Sequence, residues 1–539
     1  MKSLTNYLDF SRQLTLLRQR LGETDRSMAA LGISSAIVAA LVVSPMLWLV
    51  LRATEVEMAR AIDLVFSSRT AWITANSITL MALVTLFSIG IGVPLAVLTT
   101  RTDLPYPRLW TVIAALPLVI PSYIGAIAFV GMFGSGGEVD SLFGATIPRI
   151  DGLSGAVFII TLYTYPYVFL TTRAALLSMD SSIIDAARTL NAGPLEAFRR
   201  VTFPQIRPGI AAGALLAGLY ALSDFGTPAF MGANVFTSRI YWEATDFNRE
   251  YAALLALQLI AVVAVVLVIE AGIGRDEDAS GGGGSGSTIR LGNWKWPAMG
   301  FVSGLGVLTL VVPVAIFTNW LFRSEGDRIP AYEFGWGVAY NSVHLAALAA
   351  LVACVFALPV AYYSGRTSSL VSRILERATY VGFAVPGVVI GLALVFMGNR
   401  ALPSLYRQGI WLLVFAYVVR FLPQAVGTVR SSVLQVDDKT IEAARTLNAG
   451  PLETFRRVTL PLIMPGVIAG GVLVFLTTMK ELPVTLMLRP IGMETLVSLI
   501  WNAQDAIAYR YAAVPALLLI LISGLSMLVL LRQEDNNVS

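Results

Sequence analysis

Apolar runs of about twenty residues recur along the whole chain and are separated by shorter polar segments. A helix of this length is needed to cross the roughly 30 Å hydrocarbon core of a bilayer. No stretch alternates apolar and polar residues with a period of two, which argues against a membrane β-barrel. The pattern predicts an all-α polytopic membrane protein with about twelve transmembrane helices, at residues 33–51, 73–98, 109–133, 154–174, 209–231, 252–273, 298–322, 341–363, 377–398, 410–430, 466–488 and 511–531.

Two polar, basic segments interrupt this pattern and are nearly identical to each other. The first handle is defined as residues 185–204 and the second handle as residues 442–461. After an acidic first residue, both read Ala-Ala-Arg-Thr-Leu-Asn-Ala-Gly-Pro-Leu-Glu, and both end at a proline. Each lies between apolar runs, so we expect both in water beside the membrane. Because sequence drift would erase such identity, we infer that the two handles perform the same task.

The repeat extends beyond the handles. At one constant offset, four features of the first half recur in the second, namely Asn76-Ser77, Pro94, Arg101 and Pro121 as Asn341-Ser342, Pro359, Arg366 and Pro386. Six spans in each half is an even number, which predicts two parallel six-helix repeats related by an axis along the membrane normal. A pathway on that axis is the functional expectation, and a purely structural duplication is the alternative.

Basic residues indicate the orientation, because lysine and arginine concentrate on the cytosolic side. The N-terminal tail is basic, and the handles carry Arg199-Arg200 and Arg456-Arg457, whereas the loop at residues 134–152 is more acidic. We therefore expect the handles and both termini to be cytosolic, in a bacterial or archaeal cytoplasmic (inner) membrane. The N-terminal segment is predicted as an amphipathic interfacial helix, with a frayed tail as the alternative.

A glycine-serine run at residues 280–287 separates the halves. Such runs behave as flexible coil and occur both in natural tethers and in engineered joints. The predicted organisation is a cytosolic N-terminal segment at 1–30, a first half at 31–273, a flexible cytosolic linker at 274–297 and a second half at 298–539.

Composition excludes several functions. Of the 539 residues, 56% are hydrophobic and 13% charged, against roughly 25% charged in soluble domains. The net charge of +4 is too small to indicate nucleic-acid binding. A single cysteine, Cys354, and a single histidine, His344, rule out a disulfide and a cysteine- or histidine-based metal cluster. No lysine follows a glycine, as a phosphate-binding P-loop would require, so we expect a non-catalytic subunit whose energy comes from a partner.

Each handle is predicted to form a rigid elbow. Asn191 and Asn448 stand where a left-handed turn residue is favoured after a short helix. Gly-Pro pairs follow and start a second short helix. The small Ala186-Ala187 and Ala443-Ala444 pairs permit close approach of a partner surface, and Leu190 and Phe198 offer apolar contacts.

The handles resemble the Glu-Ala-Ala loop of permease subunits of ATP-binding-cassette importers. In that pattern, Glu-Ala-Ala is followed by a glycine and then by a hydrophobic segment that ends in proline. This chain differs at Asn191 and Asn448, where glycine is usual, but asparagine also adopts the left-handed conformation. The resemblance covers about residues 70–275 and 335–531. It implies the type I importer permease fold, with two permease domains fused and a coupling helix in each handle.

The resemblance also implies partners. We expect two copies of an ATPase subunit, which hold ATP and Mg²⁺, a substrate-binding protein on the outer face and the lipid bilayer, with no cofactor in this chain and no nucleic acid. The residues expected to contact the ATPase are Asp185, Ala186, Ala187, Leu190, Asn191, Ala192, Gly193, Phe198 and Pro204, together with Glu442, Ala443, Ala444, Leu447, Asn448, Ala449, Gly450, Phe455 and Pro461.

Two acids inside apolar segments indicate the pathway. Asp224 and Glu481 occupy the same repeat position. An ionisable side chain within a span is costly and marks a pathway. Paired carboxylates near a two-fold axis suit a hard cation, so both are candidate transient metal ligands. Alternatively, Lys480 neutralises Glu481 and the pair only holds helices together. Further candidate oxygen ligands are the hydroxyls of Tyr220, Tyr163, Tyr165 and Tyr167.

The segments around both acids resemble those of the ferric-iron importer branch, in which the two permease domains are commonly fused. This resemblance implies translocation of ferric iron delivered by a periplasmic or surface binding protein. A thiamine or other small-cation importer is the alternative. An ion-coupled secondary transporter ranks lower because it would need no matched elbows, and a structural scaffold is a third possibility.

Overall fold

The structure, a computed structural model, describes residues 2–134, 139, 150–179, 196, 198–273, 288–322, 333–446, 450–506 and 508–538. Its first-half helices are α1 (Lys2–Thr54), α2 (Met58–Val65), α3 (Ser68–Arg101), α4 (Pro107–Ala115), α5 (Ser122–Phe133), α6 (Gly152–Ser178), α7 (Phe203–Ser223), α8 (Gly226–Phe230), α9 (Phe236–Thr245) and α10 (Arg249–Ile273). The N-terminal segment and the first span form one helix, α1.

The second-half helices are α11 (Lys295–Gly306), α12 (Val312–Phe322), α13 (Trp336–Arg366), α14 (Leu370–Ala384), α15 (Gly387–Ala401), α16 (Pro403–Gln408), α17 (Trp411–Gln435), α18 (Asp438–Thr446), α19 (Pro451–Thr454), α20 (Leu460–Met479), α21 (Pro483–Leu488), α22 (Leu496–Asp505) and α23 (Ala513–Val538). The predicted all-α polytopic fold is confirmed. Within the described residues, nine helices are long and apolar enough to cross a membrane, and two bent pairs raise this number to eleven. Most of the predicted last span lies in α23.

Four of the predicted spans are not continuous helices. The span at 109–133 bends by 86° between two helical pieces, and the span at 377–398 bends by 103°. The bends occur at Pro121 and Pro386, since a proline lacks an amide donor and forces the preceding residue into extended backbone. Ile120 and Val385 accordingly have ψ angles of 126° and 130°.

The predicted spans at 209–231 and 466–488 also end early. Helix α7 ends at Ser223 and α20 at Met479, and each is followed by a short helix, α8 or α21. The breaks fall next to Asp224 and Glu481, whose carboxylates accept backbone N–H groups of the short helices at 3.4 Å (Thr227) and 3.5 Å (Val484). The chain is therefore unwound where the two predicted pathway acids lie.

The Asn-Ser repeat noted in the sequence holds the next segment in place. Ser77 Oγ accepts the Phe236 N–H at 2.9 Å, and Ser342 Oγ accepts the Leu496 N–H at 2.8 Å. The side-chain amides of Asn76 and Asn341 donate to backbone carbonyls at 3.0 and 2.9 Å. In both halves, a long helix thus holds the first turn of α9 or α22. Its serine accepts an N–H group that has no partner within its own helix.

The halves exchange their first helices. Helix α1 packs on α13, α14 and α15 of the second half, while α11 and α12 pack on α4 and α5 of the first. Between α11 and α12, a π-turn at Val307–Val311 leaves the Thr309 carbonyl available, and Tyr163 Oη donates to it at 3.1 Å. Each half is therefore completed by a helix of the other.

Candidate functional site

A cavity of about 240 Å³ lies between the halves, next to the breaks after α7 and α20. It contains all four residues predicted for the pathway, Asp224, Glu481, Lys480 and Tyr220. The other lining residues come from both halves and are Leu118, Ile120, Pro121, Tyr123, Tyr163, Tyr167, Ser223, Phe225, Gly226, Arg420, Phe421, Thr477, Leu482 and Pro483.

The first-half wall of the cavity presents oxygen atoms. Ser122 Oγ donates to Asp224 Oδ2 at 2.7 Å and lies 3.0 Å from Tyr220 Oη. The ring of Tyr167 is 6.2 Å from that of Tyr220. Among ion pairs of the described residues, none includes Asp224. Its carboxylate is held by neutral donors only, so it keeps a full negative charge available when ionised.

The second-half wall is different because its acid has an arginine partner. Arg420 Nε lies 3.1 Å from Glu481 Oε2, and its Nη1 donates to the Val385 carbonyl at 3.3 Å. Both side chains are mostly buried, with 17% and 7% exposure. The sequence reasoning missed Arg420, although an arginine within an apolar run was the signal that could have found it. Arg420 occupies the repeat position that Tyr163 occupies in the first half.

Lys480 does not neutralise Glu481, contrary to the alternative raised from the sequence. Its Nζ donates instead to the Val119 carbonyl of the first half, at 3.0 Å. Tyr123 Oη donates back to the Lys480 carbonyl at 3.4 Å. Lys480 is the residue directly after α20, at the helix break. Lys480 is thus a bridge between halves.

The tyrosines predicted as oxygen ligands separate into two groups. Tyr220, Tyr163 and Tyr167 line the cavity. Tyr165 is fully buried and is not among the lining residues, and its hydroxyl has no hydrogen-bond partner among the described residues. The part of the chain that the structure describes contains no group of three or more histidine, cysteine or acidic residues that could hold a metal. Two carboxylates, one of them paired with Arg420, suit a passing cation better than a resident one.

An aromatic cluster adjoins the cavity at Phe225, beyond the end of α7 that lies away from the first handle. Trp501 of the second half lies 5.3 Å from the ring of Phe225 and 5.1 Å from that of Phe230. It also lies 5.4 Å from Tyr241 and 6.0 Å from Trp242, all measured between ring centroids. Stacked and edge-to-face rings at such distances attract one another beyond their burial. The cluster therefore joins the two halves above the acids.

Gly387 permits the close approach of the Arg420–Glu481 pair, and this gives a first prediction. A Cβ at residue 387 would lie 2.4 Å from Glu481 Oε1 and 2.7 Å from Arg420 Nη1. We expect Gly387→Ala to destabilise the protein by about 1–3 kcal/mol, as overpacking does. A thermal-shift assay in detergent measures this. Gly90→Ala, where a Cβ meets nothing within 4 Å, is the matched control and should not lower the melting temperature. Equal melting temperatures of the two variants would contradict the packing argument.

The described part of the second handle is an exposed elbow. Glu442 and Ala443 on α18 are exposed, Ala444 is half-buried, and Gly450 and Pro461 are exposed. Phe455 anchors the elbow, because its ring lies 5.5 Å from that of Tyr362 on α13.

Arg366, at the end of α13, fastens the segment that leads into the second handle. Its guanidinium forms an ion pair with Asp438, and its Nη2 donates to the Val436 carbonyl at 3.2 Å. In the first half, Arg101 Nη2 donates to the Leu176 carbonyl at 2.6 Å. The two arginines matched in the sequence thus tie a long helix to the segment that leads into each handle.

Of the first handle, the structure shows its last part. Phe198 packs near Phe203, with 6.4 Å between ring centroids, and Pro204 is exposed in the first turn of α7. The remaining predicted coupling residues lie outside the described residues, namely Asp185, Ala186, Ala187, Leu190, Asn191, Ala192 and Gly193 in the first handle, and Leu447, Asn448 and Ala449 in the second.

Comparison with known proteins adds a family match. The family described as binding-protein-dependent transport system inner membrane component matches twice, at residues 88–275 and 357–536. The two matched regions fall in the two repeats and include both handles and both acids of the cavity.

Individual relatives match the chain over different lengths. An Fe(3+)-transport system permease protein of Haemophilus influenzae is 30% identical over 498 residues, which cover 90% of this chain and 94% of the relative. A ferric transport system permease protein of Actinobacillus pleuropneumoniae is 24% identical over 437 residues, or 75% of this chain and 63% of the relative. A molybdenum transport system permease protein of Mycobacterium bovis is 31% identical over 205 residues, 37% of this chain and 76% of the relative.

Proposed function

Because the chain belongs to the family of binding-protein-dependent transport system inner membrane components, we propose that it is the membrane permease of an ATP-driven ferric-iron importer. The observation that carries the proposal is the cavity between the two repeats, where Asp224 has only neutral donors around it. Two relatives that match 90% and 75% of the chain are named as iron transport permeases.

The donors of the cavity favour an ion over an organic substrate. Ferric iron is a hard cation and prefers carboxylate and hydroxyl oxygens, which Asp224, Tyr220 and Ser122 supply. A volume of about 240 Å³ is below the roughly 300–1,000 Å³ typical of pockets for organic ligands. Thiamine, the alternative raised from the sequence, is therefore the weaker candidate.

The handles supply the connection to the energy source. The exposed face of α18, with Glu442 and Ala443, would dock on an ATPase subunit, and the first handle on a second copy. Handles and termini would face the cytosol, and a substrate-binding protein would deliver iron to the opposite face. Closure of the two ATPases around ATP and Mg²⁺ would move both handles together. Arg366 would transmit this movement to α13, and Arg101 would transmit it from the end of α6 to α3.

The cavity would then open alternately to each side. Lys480, Tyr123 and the aromatic cluster around Trp501 hold the halves together on the side away from the handles. When the halves separate there, Asp224 would become accessible to incoming iron. When they close again, the cation would leave toward the handles, since the charge of Lys480 disfavours a return.

The proposal is tested by uptake into proteoliposomes that contain the permease with its ATPase and binding protein. We expect accumulation of radiolabelled ferric iron that requires ATP, and no accumulation of thiamine or molybdate. ATP-dependent uptake of thiamine without uptake of iron would show that thiamine, and not ferric iron, is the substrate. Iron uptake that follows an ion gradient and needs no ATPase would favour a secondary transporter.

A further inference from the structure

A second cavity, of about 230 Å³, lies at the end of the bundle opposite the handles. It is formed where α1 and α10 of the first half meet α15 of the second. Three arginines line it together with apolar side chains and one amide, namely Arg52, Arg249 and Arg400 with Trp48, Leu51, Phe396 and Asn399. We call it the arginine pocket.

The arginine pocket carries an excess of positive charge. Glu55 forms ion pairs with Arg52 and with Arg400, whose Nη2 donates to Glu55 Oε2 at 3.0 Å. These hydrogen bonds, first that of Arg400, hold the pKa of Glu55 below its ordinary value, so the carboxyl is ionised at neutral pH. Glu250, beside Arg249, pairs with Arg60 instead. Three guanidinium groups against one carboxylate leave an excess of two positive charges.

The stretch of α1 that lines the pocket also carries exposed apolar side chains, and one of them, Leu51, lines the pocket itself. Leu47, Val50 and Leu51 on the same stretch of α1 are 59%, 48% and 52% exposed. Helix α1 ends at Thr54 and α10 begins at Arg249, so the three arginines lie at the level where the spans leave the membrane. Guanidinium groups next to apolar side chains, on a helix whose neighbouring surface is apolar and exposed, match a phospholipid, whose phosphate is anionic and whose chains are apolar.

We propose that the arginine pocket binds the phosphodiester headgroup of an anionic phospholipid in the leaflet opposite the handles. Its guanidinium groups would donate hydrogen bonds to the phosphate oxygens, and Trp48 and Phe396 would contact the glycerol and the first methylenes. The inference stands independently of the transported substrate.

A lipid in this pocket would be connected to the cavity between the halves through α15. The pocket joins α1 and α10 to α15, and α15 begins at Gly387, beside the Arg420–Glu481 pair. A bound headgroup would therefore link the two halves through the same helix that supports one of the cavity acids.

The test uses native mass spectrometry of the purified full chain with phosphatidylglycerol, phosphatidylcholine or inorganic phosphate added. We expect one retained phosphatidylglycerol and preferential loss of phosphatidylcholine. Arg249→Gln should lower the lipid-bound fraction about fivefold, as expected for removal of one cation near a membrane surface. Arg60→Gln, at the same end but outside the pocket, is the matched control and should retain the lipid.

Three results would overturn the proposal. Equal retention of both lipids by the unaltered chain would show that the pocket does not recognise the anionic headgroup. Retention of inorganic phosphate in place of lipid, abolished by Arg249→Gln, would assign the pocket to a free anion. Lipid binding unaffected by Arg249→Gln, with loss of binding-protein affinity, would assign the pocket to the protein partner. A thermal-shift measurement on each variant shows that it is folded.

Discussion

Replacing Ala187 and Ala444 together with arginine is expected to abolish ATP-driven uptake while the permease still inserts and folds. Ala444 lies on α18 beside the exposed Glu442 and Ala443, and Ala187 occupies the same repeat position in the first handle. An unpaired charge buried in an interface costs about 2–5 kcal/mol. The affinity for the ATPase should therefore fall at least about thirtyfold.

The measurement is co-purification with the ATPase, together with iron uptake in proteoliposomes. Ala59→Arg is the matched control, since it places the same side chain on α2, a helix with no buried residue at the other end of the bundle. It should leave both readouts unchanged. Normal ATPase binding and uptake by the double variant would contradict the assignment of the handles as coupling elements.

The second large effect is expected at Asp224. Asp224→Asn keeps the shape of the side chain and an acceptor for the Thr227 N–H but removes the charge. A hydrogen bond to a charged group contributes about 1.5–3 kcal/mol. We therefore expect iron uptake about ten- to a hundredfold slower, with basal ATPase activity of the complex retained.

Ser122→Ala is the control for Asp224→Asn, because it removes a hydrogen bond to the carboxylate, at 2.7 Å, but leaves the charge. Its uptake should fall much less. Glu481→Gln is a less direct test, since it would leave Arg420 buried without its partner and would also lower stability. Equal uptake by Asp224→Asn and the unaltered protein would remove this acid from the pathway.

The sequence predicted the features that depend on composition and repetition. Spans, the two repeats and the shared position of Asp224 and Glu481 follow from a periodic pattern and from identity between distant segments. The coupling and pathway roles of individual residues stay predictions. The expectation that four pathway residues share one place agrees with their positions around the cavity. Asp224 and Glu481 occupy equivalent repeat positions, and Tyr220 and Lys480 lie within four residues of them.

The helix breaks and the partners of the charges could not be read from the sequence. The hydrophobicity of a run of about twenty residues does not indicate that the helices end at Ser223 and Met479. Lys480 lies at that break, and the hydrogen bond from its side chain to the Val119 carbonyl could not be predicted from the sequence. Arg420 could have been found, since it is an arginine in an apolar run, but its choice of Glu481 depends on the bend before Gly387.

The exchange of first helices has a consequence for biogenesis. As the ribosome releases the chain, α4 and α5 enter the bilayer before α11 and α12 have been synthesised, so lipid must occupy their contact face until the later helices displace it. Helices in a bilayer can insert first and associate afterwards. The amino-terminal half should consequently complete its packing only after the chain beyond the linker at residues 274–297 has been synthesised. A truncation before residue 295 should yield an inserted but incompletely assembled product.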